Sequence, residues 1–422
     1  MEVAQYQDVV WHFVYGGTRT EGPVRLQVFG SEQEMYEFGT ESAEGVPIDL
    51  PLDWSTSQRA RREWTQGPVP RAEWLELGRQ LWDAIPPEVQ GQLLEVDPGH
   101  VRRLKISSPS PAIDDLPWEW LNDGGPGPPF ALRPEIRLAR SVPLRLQVPP
   151  MTVETPVRVL LMLTNPKDER LLDGWAEIEA VRPGLEQEPY RLEPLGEPTW
   201  EALVHMLHDY QPHIVHYIGH AGIARGHGNL ILHDDYGGSH WISAAELAQA
   251  LPVTVRLLCL STCFTAPNYQ ILGLPRFAQA GVQHQLPTMV TNRYPIRDES
   301  VRAFWQAFYT SLAENHGNVN DAIHAAGQTV AEMPGIEADW GSFSLVIRDQ
   351  TGQAFWLQEA GTESATRREE EIKAQLASRL ASQMAQQVRG FGPDTPDIVV
   401  KQLEEEVDWA RDLTEGLRRE EP

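Results

Sequence analysis

The chain has 422 residues, of which 41% are hydrophobic and 8% aromatic, enough to build a sizeable core and more than one domain. Its formal net charge of −25 repels nucleic acid and anionic lipid surfaces, so neither is an expected partner. The chain has no apolar run of about 18 residues, and its N-terminus lacks a basic start followed by an apolar stretch. With only two cysteines, Cys259 and Cys263, a reducing cytoplasm is the expected compartment.

The first part of the chain is predicted to be rich in β-strands, and we take residues 1–70 as an N-terminal region. Residues 71–156 form a second region that opens with a helix. Trp74, Leu77 and Leu81 recur along one face of this helix, which ends before Pro86. The strand patterns of these two regions cover residues 9–15, 24–29 and 101–106.

Residues 157–350 alternate between strand and helix patterns, which predicts an α/β domain. A mainly parallel sheet covered by helices on both faces is expected, with a ligand site outside the carboxyl ends of its strands. The predicted strands cover residues 157–163, 190–195, 214–220, 255–263, 288–291 and 343–347, with a hairpin around 230–232 and 241–242. The predicted helices cover residues 175–181, 200–207, 244–251, 271–280, 299–313 and 320–332. Thr199 and Ser243 are the expected N-caps of the second and third of these helices.

The C-terminal residues 362–422 have a different character. Two charged segments each carry one apolar stripe, and a run rich in glycine and proline separates them. This pattern predicts an acidic helical hairpin that docks on the body of the protein or on a partner.

Two apolar strand-like runs of the α/β domain end at reactive side chains. Residues 214–219 lead to His220, and residues 255–262 lead to Cys263. If the two runs are neighbouring parallel strands, an imidazole lies beside a thiol at one edge of the sheet. Such an imidazole can take the proton of the thiol and generate a nucleophilic thiolate, so the pair predicts the dyad of a cysteine protease. The alternative is that Cys263 is an ordinary buried cysteine, which is what we expect of Cys259 inside the strand.

The residues that flank His220 are consistent with an oxyanion site. Gly219 and Gly222 allow a substrate to approach the backbone closely. The backbone N–H of Cys263 and one from Ala221 or Gly222 are the expected donors. The histidines of this strand also allow a zinc site with Cys263, but a second compact ligand pair is missing, so we expect neither metal nor cofactor.

Several short motifs, taken in order, resemble the CHAT domain, a caspase-like peptidase domain related to separase. The resemblance covers about residues 70–350. The motifs are Leu-Pro-Trp-Glu-Trp-Leu-Asn-Asp at 116–123, Gly219-His220, Leu260-Ser261-Thr262-Cys263, and a closing helical part with Phe304, Phe308-Tyr309 and residues 320–323.

The resemblance implies a caspase-hemoglobinase fold, a three-layer αβα sandwich with a mainly parallel sheet. It also implies cleavage of a peptide bond by the Cys263–His220 dyad. Family members serve bacterial defence or pathways that resemble cell death, and a sensor often activates them. The expected partners are therefore a protein substrate and an activating sensor or regulatory protein.

At three positions the sequence leaves open which residue or backbone group plays the role that the resemblance implies. Ala221 follows His220 where many members have glycine, so the amide that completes the oxyanion hole is open. Asp298 matches an acidic position that lines the P1 pocket of separase-like members, which implies cleavage after arginine or lysine. Alternatively, Asp298 caps a helix that starts at Glu299, or Arg293 turns the preference toward an acidic residue.

Two other functional classes stay open from the sequence. A protease fold that has lost catalysis would act as a scaffold, with its long loops and the C-terminal hairpin as interaction surfaces. A zinc hydrolase would carry stoichiometric metal.

Overall fold

The structure is a computed structural model. It describes residues 5–15, 23–31, 34–35, 45–52, 70–108, 110–141, 151–169, 174–185, 189–224, 227–261, 277, 288–293, 296–347 and 353–358. Cys263, the C-terminal hairpin and, apart from Phe277, the predicted helix over 271–280 lie outside the described residues. The chain divides into two units, residues 1–150 with 156–355 and residues 151–155 with 356–422.

Among the described residues, the predicted strands and helices occur in the predicted order. The strands are β1 (Gln5–Tyr15), β2 (Val24–Phe29), β3 (Val46–Ile48), β4 (His100–Ser107), β5 (Ile136–Ser141), β6 (Met151–Glu154), β7 (Val157–Leu163), β8 (Tyr190–Gly196), β9 (Ile214–Ile218), β10 (His220–Ala224), β11 (His227–His233), β12 (Ser239–Ser243), β13 (Leu257–Ser261), β14 (Thr288–Asn292), β15 (Phe343–Ile347) and β16 (Phe355–Gln358). The α-helices are α1 (Arg71–Asp83), α2 (Pro87–Leu94), α3 (Pro111–Asp114), α4 (Gly174–Leu185), α5 (Trp200–Tyr210), α6 (Ala244–Ala250), α7 (Asp298–Glu314) and α8 (Val319–Ala331). The elements additional to the predicted ones are β3, β5, β6, β16, α2 and α3.

One large sheet dominates the first unit. Its eleven strands lie in the order β3-β2-β1-β4-β5-β15-β14-β13-β9-β7-β8. Neighbours in this sheet run parallel, except for the pairs β1–β2, β2–β3 and β14–β15. The predicted α/β class with a mainly parallel sheet is therefore confirmed. The N-terminal strands β1 to β3 extend the same sheet.

Helices cover both faces of the sheet around β9. Val215 and Tyr217 of β9 belong to an apolar core that includes residues of α5 and α6. His216, between them, meets Tyr309 of α7 and Glu177 of α4 on the other face. Because successive side chains of a strand point to opposite faces, these contacts define the predicted layers of helix, sheet and helix.

Two helix starts follow the predicted capping chemistry. The side chain of Thr199 accepts a hydrogen bond from the N–H of Ala202 at the start of α5. At the start of α6, Ser243 and Glu246 form a reciprocal capping box.

Two smaller sheets complete the described strands. β10, β11 and β12 form an antiparallel three-stranded sheet, and β6 pairs with β16. The sequence predicts one strand that runs from residue 214 to His220, whereas the structure ends β9 at Ile218 and starts β10 at His220. None of the described helices is both long enough and apolar enough to span a bilayer.

The motif at residues 116–123 is packed against α1 through tryptophan. Trp120 stacks on Trp74 of α1, with ring centroids 5.7 Å apart, and also contacts Trp340 at 4.8 Å. Gly78 lets the backbone of the motif approach this helix, since a Cβ there would lie 1.8 Å from the carbonyl oxygen of Trp120. The buried Arg140 of β5 fastens the same motif by donating to both carboxylate oxygens of Glu119.

Substitution of Gly78 tests this close packing. Gly78→Ala is expected to lower the free energy of unfolding by about 1–3 kcal/mol, because the added methyl group meets backbone atoms that cannot move aside. Gly91 in α2 is the matched control, since a Cβ there has no atom within 4 Å. Gly91→Ala is expected to raise stability by about 0.5–1 kcal/mol, because alanine restricts the unfolded chain. Urea denaturation measures both, and equal effects would contradict the packing.

Candidate active site

The carboxyl ends of β9 and β13 form the centre of the candidate site. The two strands are parallel neighbours, and Ile218 pairs with Ser261 at their ends. The N–H of Gly219 donates a hydrogen bond to the carbonyl oxygen of Ser261 at 3.1 Å. The predicted adjacency of the two runs is therefore confirmed. His220 lies two residues beyond Ile218, and Cys263 follows Ser261 by two residues in the sequence.

A sharp change of sheet occurs at Gly219, directly before His220. A Cβ at this position would lie 2.1 Å from the hydroxyl oxygen of Thr164 and 2.5 Å from that of Tyr217. These contacts leave no room for a side chain, so glycine is required here by packing. Gly219 thereby allows β9 to end and the chain to leave the large sheet at the imidazole.

The Tyr217 hydroxyl holds the backbone at His220 in place. Thr164 donates a hydrogen bond to it at 3.0 Å, and the N–H of Ile231 donates at 3.3 Å. Its own proton is shared between the carbonyl oxygens of His220 and of Ile231, the latter at 2.9 Å. Burial raises the pKa of Tyr217, which keeps the phenol protonated as a donor. A single buried hydroxyl therefore joins the residue after β7 to β9, β10 and β11.

The direction of the amides in β10 distinguishes the two oxyanion candidates. His220 pairs with Ile231, whose N–H and carbonyl both contact the Tyr217 hydroxyl beside the His220 carbonyl. Ile231 therefore directs its backbone groups toward β10. Because neighbouring residues of an antiparallel ladder alternate in direction, Gly222 turns its N–H toward β11 and Ala221 turns its N–H away from β11.

His220 itself is almost fully enclosed, with 2% of its surface exposed. Its register across the small sheet places it in one row with Ile231 and Trp241. Residues in one row of a sheet share a face, so His220 and Trp241 project from the same face.

A second cysteine–histidine pair lies deeper in the sheet. Cys259 of β13 pairs with His216 of β9 and is fully buried. Burial raises the pKa of the Cys259 thiol to about 12. Tyr309 contacts both residues, lying 2.7 Å from the Nδ1 atom of His216. The prediction that Cys259 is a buried structural cysteine is confirmed. Within the described part of the chain, no group of three or more His, Cys, Asp or Glu side chains is arranged to hold a metal ion.

The two residues predicted to set the P1 preference, Arg293 and Asp298, follow β14 and occupy different environments. Arg293 directly follows this strand, is 1% exposed, and donates to the carbonyl oxygen of Asp114 at 2.7 Å. Burial by itself raises the pKa of Asp114, but Arg293 and Arg140 outweigh it and lower that pKa. Asp298 is exposed and is the first residue of α7, whose N-cap is Arg297. The alternative prediction that Asp298 is the N-cap is wrong, because the helix begins one residue earlier.

Sequence reasoning missed the residues that support the site. Tyr217 and Thr164 read as ordinary members of apolar strands, and Trp241 reads as one half of a hairpin. The glycine directly before His220 was the available signal for a close approach, but it does not reveal which side chains approach.

The structure defines an α/β protein with a buried histidine, His220, at the edge where its central parallel strands end. The family model described as CHAT domain matches residues 75–356, more than half of the chain. The chain therefore belongs to the CHAT family, whose members are caspase-like peptidases. The resemblance carried by the four sequence motifs is confirmed.

Comparison with other known proteins adds distant structural likenesses. No curated protein matches the chain. It is similar to the Saccharomyces cerevisiae separase–securin complex solved at 3.0 Å resolution, at 12% identity and a TM-score of 0.35, over 71% of this chain and 23% of that one. For the same complex solved at 2.6 Å resolution, the identity is 12% and the TM-score is 0.36. That match covers 82% of this chain and 21% of the other chain. The chain thus spans less than a quarter of those separase-complex chains.

Removal of the Tyr217 hydroxyl tests its role at the turn. Tyr217→Phe is expected to lower the free energy of unfolding by about 1–3 kcal/mol, because buried donors and acceptors lose their partner. It is also expected to shift the NMR signal of the Ile231 backbone amide, which donates to this hydroxyl and which a loss of stability elsewhere does not move. Tyr236→Phe is the control, since Tyr236 is 88% exposed in the turn that joins β11 and β12. Equal results for the two variants would refute the positioning role.

Proposed function

We propose that the protein is a cysteine endopeptidase in which Cys263 is the nucleophile and His220 the general base. The observation that carries the proposal is the parallel pairing of Ile218 with Ser261 at the ends of β9 and β13. Each proposed catalytic residue follows its paired residue by two positions. Membership in a caspase-like peptidase family supports the same assignment.

The proposed mechanism is acyl transfer through the thiol. His220 takes the proton of Cys263, and the thiolate attacks the carbonyl carbon of the scissile peptide bond. The resulting oxyanion accepts hydrogen bonds from the N–H of Cys263 and from an N–H of β10. His220 then gives its proton to the leaving amine, the C–N bond breaks, and water hydrolyses the thioester with His220 again acting as base.

The alternation of backbone groups along β10 favours Ala221 as the second oxyanion donor. Its N–H turns away from β11, whereas that of Gly222 turns toward β11. An alanine can supply this amide as well as a glycine can, because the donor belongs to the backbone. The departure from the glycine found in many family members is therefore compatible with catalysis.

We propose that Asp298 rather than Arg293 contacts the P1 side chain of the substrate. Arg293 is buried and engaged with Asp114, while Asp298 is exposed one short segment beyond the same edge. A carboxylate at this place favours arginine or lysine before the cut.

Two grounds support a proposal for the cellular setting, namely membership in the CHAT family and the net charge of the chain. We place the protein in a cytoplasmic bacterial defence pathway or one that resembles cell death, where a sensor or regulatory protein activates it against one protein substrate. The net charge of −25 favours recruitment of a basic segment of that substrate.

A catalytically inactive scaffold is the second candidate function. The observation that favours it is the 2% exposure of His220, which leaves the imidazole enclosed. In the peptidase, substrate or an activator has to open this site.

Selective thiol labelling separates the two candidates. A peptide-based acyloxymethyl ketone, added to the full chain near neutral pH, is expected to label Cys263 and to leave Cys259 unlabelled. With a pKa of about 12, the buried Cys259 thiol holds negligible thiolate at that pH. Cys263→Ala is expected to abolish labelling and cleavage with the fold intact, and Cys259→Ala to retain both. Mass spectrometry locates the label. Cleavage that persists in Cys263→Ala would refute the assignment of Cys263 as the nucleophile. If neither cysteine reacts with the probe, the inactive scaffold is favoured.

Substitution of Asp298 tests the P1 preference. Asp298→Ala is expected to lower kcat/KM about 10- to 100-fold for peptides with arginine or lysine at P1, through the loss of one charged hydrogen bond. Peptides with neutral P1 residues are expected to change little. Glu299→Ala is the control, since Glu299 is the exposed neighbour in the same helical turn. An equal loss for basic and neutral peptides would contradict the role.

A further inference from the structure

The face of the small sheet that carries His220 also carries an exposed indole. His220, Ile231 and Trp241 lie in one row across β10, β11 and β12. The opposite face of the same strands is formed by Ala221, Leu230 and Ile242, which belong to the apolar core. The His220 face therefore points away from that core.

The indole of Trp241 reaches back across the sheet to β10, the strand that begins at His220. A Cβ on Gly222 would lie 2.4 and 2.5 Å from two carbon atoms of the ring, Cη2 and Cζ3. The six-membered part of the ring therefore rests on the backbone of Gly222, two residues from His220. This contact supplies a reason for glycine at position 222 that is independent of the oxyanion.

The ring is held on one side and open on another. Trp241 is 38% exposed, although it lies against β10, and Ile231 between it and His220 is fully buried. An aromatic surface that is fixed by packing and open to solvent offers binding area at little cost in side-chain entropy.

From these contacts we propose that Trp241 forms a subsite for an apolar or aromatic side chain of the substrate, within two residues of the scissile bond. This rests on the proposed peptidase function. Two residues of strand span about 7 Å, which is also the spacing of same-face side chains in an extended peptide. A substrate extended past His220 thus places a neighbouring side chain over the indole.

The surroundings of the ring determine the class of side chain. The indole rests on a glycine backbone and lies beside Ile231, which offer dispersion contacts and no charge. Burial of an apolar side chain on this surface is favourable by the hydrophobic effect. A basic side chain, drawn to the face of the indole by a cation–π contact, is the alternative that the experiment must separate.

Peptide selection on a variant that cannot cleave tests the subsite without relying on catalysis. Short randomised peptides displayed on phage are selected on the full chain carrying Cys263→Ala. Enrichment of apolar or aromatic residues at one peptide position is expected, and it is expected to disappear when Trp241→Ala is added. Gly222→Ala is expected to weaken the same enrichment, because its methyl group displaces the ring. Trp241→Phe should retain part of it, and the distal exposed aromatic variant Tyr236→Ala should leave it unchanged.

Cleavage of a peptide library by the full chain then separates this proposal from the peptidase assignment. Trp241→Ala is expected to lower kcat/KM about 10- to 100-fold for peptides with the preferred apolar residue and to leave peptides with alanine there nearly unchanged. If the chain selects peptides in a way that depends on Trp241 but cleaves none of them, the peptidase assignment is refuted. Trp241 then remains a binding site for an apolar side chain of a peptide. Three outcomes would overturn the subsite. They are the absence of selected peptides, basic residues at the peptide position that depends on Trp241, and an apolar preference that survives Trp241→Ala with an unchanged unfolding midpoint.

Discussion

The parallel pairing of β9 with β13 is the constraint on which the rest of the site depends. The ladder joins five residue pairs and continues one step further, where Gly219 donates to the Ser261 carbonyl. Parallel strands bring their carboxyl ends to one edge, so both chains leave the sheet side by side. The candidate nucleophile and base follow that edge at equal distances along the sequence. A change in this register would offset the two strand ends after which the proposed catalytic residues follow in the sequence.

Side-chain packing at this edge determines where the chain leaves the large sheet and enters the small one. At Gly219 the chain packs against the hydrogen-bonded hydroxyl groups of Thr164 and Tyr217, and it leaves the large sheet there. The Tyr217 hydroxyl then takes the place of a ladder contact between His220 and Ile231. The small sheet that begins at His220 carries the proposed oxyanion amide along its backbone and the Trp241 indole on its face. The proposed catalytic and recognition groups thus share one short antiparallel unit.

Much of the fold could be predicted from the sequence, because its elements obey simple periodicities. The buried strand at residues 157–163 and the closing strand at 343–347 follow from mostly apolar runs, and the starts of α5 and α6 follow from Thr199 and Ser243. The break between β9 and β10 was not predicted, because the apolar pattern continues through Gly219. The N-terminal strands also join the large sheet through pairings between residues about 95 positions apart, which no local pattern encodes.

The sequence by itself supplied the candidate residues, since a histidine and a cysteine at the ends of apolar runs are the expected base and nucleophile there. It also determined the family, through short motifs whose order is specific. Tertiary structure alone decided that β9 and β13 are neighbours, that Cys259 is sealed in the core with a raised pKa, and that Arg293 is engaged with Asp114 while Asp298 is exposed. The reason is physical: residue type fixes reactivity, whereas burial, register and close packing arise from contacts between segments far apart in the chain.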